Sequence, residues 1–324
     1  MTTDNDVRST MRNALPRSRH RRQLHAAALA AAMALGTLAA APAATAASPD
    51  QGAAGCGSGR GIPDSQISIQ LFTHVSELGF EQPTTEQLDR VFGEVAKAGF
   101  RNVELYNQPY DMPVEDLEAL LDEHGLHAAS SHGSTDWDTW PETVAYAAEL
   151  GQRYIGAGGI PGSTATYEDT VETAAYLDQL GEYAHHHGVK KVLLHNHSDV
   201  FEKTFTHPGT GETVTAWEVL VENTDRRYVT FELDLGWAAD AGMDVAGLVE
   251  EHGDRMELLH VKDAVNIGAP EGLTQVGLGD GEMDFAPIFR AAKGDVKYYT
   301  YEWDFAPSFE SSAKSYKFLD CFTF

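Results

Sequence analysis

What most constrains this chain is a rhythm: from residue 66 onward, short β-rich runs alternate with longer helical patterns. The β-rich runs fall at residues 67–72, 102–106, 126–131, 153–157, 191–195, 227–235, 256–261 and 297–302. A helical pattern follows each, at residues 84–98, 113–124, 141–150, 167–187, 215–221, 244–252, 284–292 and 309–319. In the first, Leu88, Val91, Phe92, Val95 and Ala96 recur at three-to-four spacing, which lays one apolar stripe along a helix, and Gly99 ends it. Gly125, Gly151, Gly188 and Gly253 close four others in the same way, and Asp244 reads as an N-cap. Eight strands, each followed by a helix, in about 250 residues is the count of a closed (β/α)8 TIM barrel. The expected fold is therefore α/β, a single barrel domain over residues 66–324. An open doubly wound sheet seldom needs eight repeats, and it would carry a glycine-rich loop after its first strand; none follows Phe72.

The segment before the barrel reads differently. Residues 17–22, rich in arginine, precede an apolar stretch over residues 24–41, and Ala44-Thr45-Ala46 fits an A-x-A cleavage site. This predicts a secretory signal peptide over residues 1–47, with residues 48–65 as a linker. Arg21-Arg22-Gln23-Leu24 resembles a twin-arginine signal, which implies export after folding. A lipoprotein reading through Cys56 is weaker, because Cys56 lies well past the apolar run. The chain has 23 basic and 49 acidic residues, and losing residues 1–47 removes six arginines and two aspartates. That leaves 17 basic against 47 acidic side chains, a formal charge of −30. Such a field repels phosphate backbones and argues against nucleic-acid binding. No further stretch approaches membrane-spanning length. Cys56 and Cys321 lie near the two ends of the remainder. In an exported protein they are either a disulfide that clasps the termini or two separate thiols.

Barrel enzymes place their chemistry at the C-terminal ends of the strands. The second strand offers Glu104 and Tyr106 there, and the third is followed by His132. The fifth ends on His195 with His197 beyond, and the sixth carries Glu232 and Asp234 in an otherwise apolar run. The seventh ends His260-Val261-Lys262-Asp263 and the eighth Glu302-Trp303-Asp304. One histidine at a strand end is commonly just a polar cap. Four neighbouring strand ends offering His195, Asp234, His260 and Glu302 are a metal-ligand set of imidazole and carboxylate without thiolate. It suits Mn²⁺, and also Mg²⁺, Co²⁺, Fe²⁺ or Zn²⁺. His185-His186-His187 looks like a cluster too, but it closes a helix before Gly188, where imidazoles suit the dipole end. Gly277-x-Gly279 reads as a turn, not as a phosphate cradle.

Several stretches resemble the sugar phosphate isomerase/epimerase family: "HNH" (195–197), "ELDLGWAADAG" (232–242), "LLHVKD" (258–263), "VGLGDGEMDF" (276–285) and "YEWD" (301–304). "ISIQLFT" (67–73) and "AGFRNVEL" (98–105) are similar to that family's opening. The resemblance covers roughly residues 66–305 and implies the xylose isomerase-like barrel, shared with the AP endonuclease family 2 superfamily. It places metal ligands on Asp234, His260 and Glu302. The strand-five ligand, commonly a glutamate in the epimerase branch, is His195 here. That substitution puts two-carboxylate epimerisation in doubt, and "HNH" looks more like the branch with 3-keto-glycoside lyases and hydratases.

The implied activity is that of a metal-dependent isomerase or epimerase acting on a keto-sugar. A divalent ion polarises the carbonyl and acidifies the adjacent C–H, and a base removes that proton. Returning the proton to the neighbouring carbon isomerises the sugar, whereas expelling a β-oxygen is elimination. His197, Lys262 and His132 are the alternatives for that base, with Glu302 contributing both as ligand and to catalysis. Trp237, Trp303, Trp137, Trp140 and Phe72 are candidate faces for a sugar ring or simply packing residues. Glu104 and His132 either bind substrate or neutralise neighbours. Export implies an unphosphorylated carbohydrate. Two rival readings stay open: a lyase or hydratase on 3-keto-glycosides, and a sugar-binding barrel without catalysis. A DNA-repair nuclease is disfavoured by the charge, by export and by Trp237, where that family places a further histidine.

Overall fold

Eight parallel strands close on themselves because the first pairs with both the second and the last. The computed structural model describes residues 61–108 and 110–323; the expected signal peptide, most of the linker and Cys56 lie outside them. The strands are β1 (Ile67–Gln70), β2 (Asn102–Gln108), β3 (His127–Gly133), β4 (Tyr154–Ala157), β5 (Lys191–His195), β6 (Val229–Asp234), β7 (Met256–Val261) and β8 (Tyr298–Tyr301). The helix after each is α1 (Thr85–Ala98), α2 (Val114–Glu123), α3 (Trp140–Glu149), α4 (Tyr167–His186), α5 (Ala216–Asn223), α6 (Val245–His252), α7 (Phe285–Ala292) and α8 (Phe309–Cys321). This is the (β/α)8 barrel that the alternation predicts.

Local chemistry explains the boundaries. Thr84 and Gln87 form a capping box at the start of α1, and Gly99 ends it in the left-handed conformation at φ +117°. Thr215 and Glu218 form a second box before α5. Asp244 caps α6 as its sequence position suggests. Three short pieces carry too few residues to show a period: a helix directly after β6 (Leu235–Asp240) and two hairpins, Thr204–Thr206 with Thr213–Thr215 and Asp263–Val265 with Thr274–Val276. The boundaries differ at the rim as well. β1 stops at Gln70 and turns into a 3₁₀ segment, while β3 extends to Gly133, so His132 sits inside its strand.

Two apolar layers hold the barrel. The larger lies between strands and helices and takes in Leu88, Phe92, Trp140, Leu177, Trp217 and Phe289. The smaller, Tyr154, Leu193 and Leu258 with Tyr298 against them, plugs the N-terminal end of the barrel. Beyond that plug each strand alternates back to polar residues, so Leu193 gives way to His195 and Leu258 to His260 and Lys262. Trp140 and Trp137 are packing residues. Trp140 is fully buried, its Nε1 donating to the Leu180 carbonyl at 3.1 Å, and Trp137 packs edge-on against Tyr183 in α4. Among the described residues no helix is long and apolar enough to cross a membrane.

Candidate metal centre

The ends of β5 to β8 bring their polar residues to one place. In register, Asp234 on β6 faces His260 on β7, and His260 faces Thr300 on β8, two residues before Glu302. Ligand atoms of His195, Asp234, His260 and Glu302 lie within 4.8 Å of one another, and all four residues are buried. His260 Nδ1 is 2.9 Å from Glu302 Oε2 and 3.9 Å from Asp234 Oδ2. Asp234 is aimed from two sides. Its backbone N–H donates to Asn196 Oδ1 at 2.9 Å, and its Oδ1 accepts from the Trp237 N–H at 2.9 Å. Its other oxygen, Oδ2, is buried and faces the Lys262 ammonium.

Lys262 joins this group. Its Nζ lies 3.1 Å from Asp234 Oδ2, 3.0 Å from Glu302 Oε2 and 3.1 Å from Asp304 Oδ2. Gln275 fixes Asp304 through two hydrogen bonds of 2.6 and 2.7 Å. Gly236 leaves room for the lysine stem, since a Cβ there would come within 3.0 Å of Lys262 Cγ. Burial alone would discharge the Lys262 ammonium, but Asp234, Glu302 and Asp304 outweigh it and keep its pKa above the usual lysine range.

A second tier lies one layer deeper. Glu232 Oε2 is 2.7 Å from His132 Nε2, 3.2 Å from His260 Nε2 and 3.5 Å from His195 Nδ1. Glu104 Oε1 is 2.7 Å from His260 Nε2 and accepts from Gln70 Nε2 at 2.6 Å, while Ser130 Oγ donates to its other oxygen at 2.5 Å. His132, His195, Glu232 and His260 thus form another close set of donors. His260 belongs to both sets and offers each a different nitrogen. A histidine that ligates through one nitrogen while a carboxylate holds the other is the usual arrangement around a metal. The outer set lies at the strand ends, the face of a barrel where substrates bind, and Glu232 and Glu104 approach its imidazoles from below.

The two imidazoles of the outer set differ in charge. Burial, and then the neighbouring His260, push the His195 pKa down to about 3, so its imidazole is neutral, the form that ligates. His260 is pushed well above its ordinary value, because Glu232, Glu302 and Glu104 overcome its burial. Burial raises the Asp234 carboxyl, whereas at Glu302 it is outweighed by Lys262 and His260, which hold that group well below the usual carboxylate range. Buried carboxylates and the neutral His195 imidazole are a donor set that accepts a divalent cation, which His260 joins on giving up a proton.

The other residues singled out from the sequence separate by depth. Glu104 and His132, expected at the substrate, lie below the mouth in the deeper tier. His197 is exposed, its ring 5.1 Å from that of His195 and 5.8 Å from that of Trp237. It lines a cavity of about 380 Å³ together with Ile160, Thr164 and Lys203. Trp237 stacks over the Lys262 ammonium at 5.1 Å. Trp303 is half-buried, its N–H donating to Thr73 Oγ1 at 3.3 Å. The triple histidine stays apart: His185 and His187 bond to backbone carbonyls at the end of α4. Around Gly277-x-Gly279 the chain does turn, folded around Asp263, whose carboxylate accepts backbone N–H groups from Gly279, Gly281 and Met283.

Sequence reasoning missed Asn196, Gln70 and Ser130 as positioning groups, and it left Glu232 without a role. For Gln70, Ser130 and Glu232 the one legible signal was polarity within barrel strands that are otherwise apolar; Asn196 lies just past the end of β5.

Residues 92–304 match the model of the family described as xylose isomerase-like TIM barrel. An inosose dehydratase of Mesomycoplasma hyopneumoniae (strain 7448) is 24% identical over an alignment of 238 residues that covers 62% of this chain and 75% of that protein. The crystal structure of a sugar phosphate isomerase/epimerase from Parabacteroides distasonis ATCC 8503 superimposes with a TM-score of 0.64 at 23% identity, covering 84% of this chain and 97% of that one. A structure of IOLI protein with a binding zinc atom gives a TM-score of 0.56 at 17% identity over 79% of this chain and 95% of that one.

Proposed function

Because this chain belongs to the xylose isomerase-like TIM barrel family, we propose that it is a metal-dependent lyase that removes a proton beside the carbonyl of a keto-sugar and expels the β-oxygen. The observation that carries this reading is the outer set: two imidazoles and two carboxylates, buried beside one charged lysine at the catalytic end of the barrel. His195, Asp234, His260 and Glu302 would hold a divalent cation, which when bound supplies Lewis-acid polarisation of the substrate carbonyl. Lys262 donates a hydrogen bond to the carbonyl oxygen as negative charge gathers there. His197, exposed at the mouth beside His195, takes the α-proton. The electron pair then re-forms the carbonyl as a C=C bond forms between the α and β carbons and the Cβ–O bond breaks; the leaving oxygen takes the proton that His197 accepted and departs as water or an alcohol. Glu104 holds the second nitrogen of His260 at 2.7 Å and Glu232 stands 3.5 Å from that of His195, so a carboxylate backs each ligand ring.

Elimination is favoured over epimerisation by two observations. The strand-five position carries His195, so no second carboxylate stands there to serve the opposite face of the carbon. The relative from Mesomycoplasma hyopneumoniae is named a dehydratase. Isomerisation or epimerisation is the second reading, supported by the name of the Parabacteroides structure. Turnover of 3-keto-glycosides and free ketoses in D₂O separates the two. Release of water or a free aglycone supports elimination; deuterium entering an intact sugar without release replaces it with isomerisation. Full activity in chelator, with no divalent ion bound, would overturn both.

Export belongs to the same proposal, with an unphosphorylated substrate as its consequence. The arginine-rich, alanine-rich start of the chain supports it. N-terminal sequencing of protein recovered outside the cytoplasm should begin near residue 48, and an intact Met1 would count against cleavage.

A further inference from the structure

Phe80 and Phe305 stand 65% and 53% exposed, the exposed large hydrophobics among the described residues. They belong to one cluster. Phe72 makes edge contacts with Phe80 at 6.3 Å, with Phe305 at 5.7 Å and with Tyr106 at 5.7 Å, and Phe80 lies 6.0 Å from Phe305. The cluster is built, not loose. Asn107 Nδ2 donates to the Phe80 carbonyl at 2.9 Å, Gln82 Nε2 donates to the Asn107 carbonyl at 3.1 Å, and the Tyr106 hydroxyl donates to Gly79. Phe305 is held at φ +60°, a left-handed conformation that costs a residue with a bulky side chain, while the neighbouring Ala306 N–H is tied to the Thr73 carbonyl at 3.0 Å. Strain of this kind persists where the surrounding structure fixes it, commonly at ligand sites.

Its place in the barrel gives it a use. Phe72 follows Gln70 by two residues, Tyr106 follows Glu104 by two, and Phe305 follows Glu302 by three. The aromatic rings therefore rim the mouth at β1, β2 and the end of β8, whereas the donors occupy β5 to β8. A ligand whose carbonyl sits at the donors extends its far end toward the rings.

We propose that Phe72, Phe80 and Phe305 form a subsite for a planar apolar group on the substrate, so that the natural substrate is a keto-glycoside with an aromatic aglycone. This rests on the keto-sugar reading above and narrows it to a substrate class. A docking partner is the poorer occupant. One aromatic residue buries about 150–250 Å² at most, so two exposed rings fall short of the ~800 Å² per side of a stable interface.

The test compares benzyl and methyl 3-keto-glucosides, whose leaving alcohols are nearly equal in acidity, on the metal-loaded full-length protein. The wild type should prefer the benzyl substrate by about tenfold in kcat/KM, and that ratio should fall toward one in Phe80→Ala and in the Phe80→Ala/Phe305→Ala double variant. Phe80→Ala alters a largely exposed side chain, so it keeps the test open if the double variant fails to fold. Equal wild-type rates on the two substrates, or an unchanged ratio in the variants, would overturn the subsite. So would a loss of self-association in Phe80→Ala on sedimentation, which assigns the rings to contact between copies. If neither substrate turns over, the keto-sugar reading fails separately, and dissociation constants for the same two compounds, measured by calorimetry, decide the subsite by the same ratio.

Discussion

At the N-terminal ends of the strands one carboxylate, Glu257, meets Lys190, Lys191 and the Tyr154 hydroxyl. At the C-terminal ends four buried carboxylates, Glu104, Glu232, Asp234 and Glu302, share the single ammonium of Lys262 and three imidazoles. The first end has more cation than anion and closes on itself above a plug of Tyr154, Leu193 and Leu258. The second has more anion than fixed cation and opens to solvent at His197. On the reading proposed above, the carboxylates of the open end take a divalent cation, whereas the opposite end is neutralised by its own lysines.

The largest expected effect falls on the open end alone. Asp234→Asn and Glu302→Gln should each remove the bound divalent ion and lower turnover by about a thousandfold or more, with the far-ultraviolet spectrum unchanged. Metal analysis and steady-state rates check this; retention of a full equivalent of metal by both variants would erase the distinction between the two ends. Next comes the deeper tier. Glu232→Gln should weaken metal affinity by about 10–100-fold without abolishing binding, read by competition with a chelating dye. An unchanged affinity would mean that the inner carboxylates merely fill the barrel.

Chelation should then lower the melting temperature by several degrees. An ion present at a hundred times its Kd stabilises the folded state by about 2.7 kcal/mol. Glu257→Gln should leave that increment intact, which calorimetry with and without chelator measures.

The smallest effect belongs to the closed end and is seen only in acid. Burial would raise the Glu257 carboxyl, but Lys190, Lys191 and Tyr154 outweigh it and hold its pKa at about 2, against about 4.5 when free. Its contribution is therefore complete above about pH 4.5 and is lost as pH falls toward 2. Glu257→Gln should flatten that acid limb by about 1–2 kcal/mol, allowing for screening at the barrel rim. Urea midpoints at pH 6 and pH 3 supply the comparison, and identical slopes in variant and wild type would show that the pairing adds nothing.

Much of this was legible in the residues. The strand–helix rhythm, the glycines at helix ends and the matched ends of the last four strands specify the barrel and bring His195, Asp234, His260 and Glu302 to one rim. Lys262 was legible as a site residue but not as an ammonium shared by three carboxylates, because Asp304 reaches it from the loop after β8, held there by Gln275 of a hairpin. The helix Leu235–Asp240 was hidden because it is only six residues long, yet through the Trp237 N–H it aims Asp234.

Sequence by itself determined which residue types stand at the strand ends, because alternation and helix stops are local properties of the backbone. Only the tertiary structure decided which of them share a layer. Two irregularities in strand pairing make the point. Between β2 and β3 the register slips after Val103, so Glu104 pairs with Ser130 and skips Ala129; between β6 and β7 it slips after Phe231, so Glu232 pairs with Leu258 and skips Glu257. A bulge of this kind adds one residue on one strand and changes which side chains meet across the pair. It leaves no mark in composition or period, and it is found at both carboxylates of the inner tier. The depth of Glu104 and Glu232, and with it the division between ligands and the groups that hold them, is a property of the closed barrel.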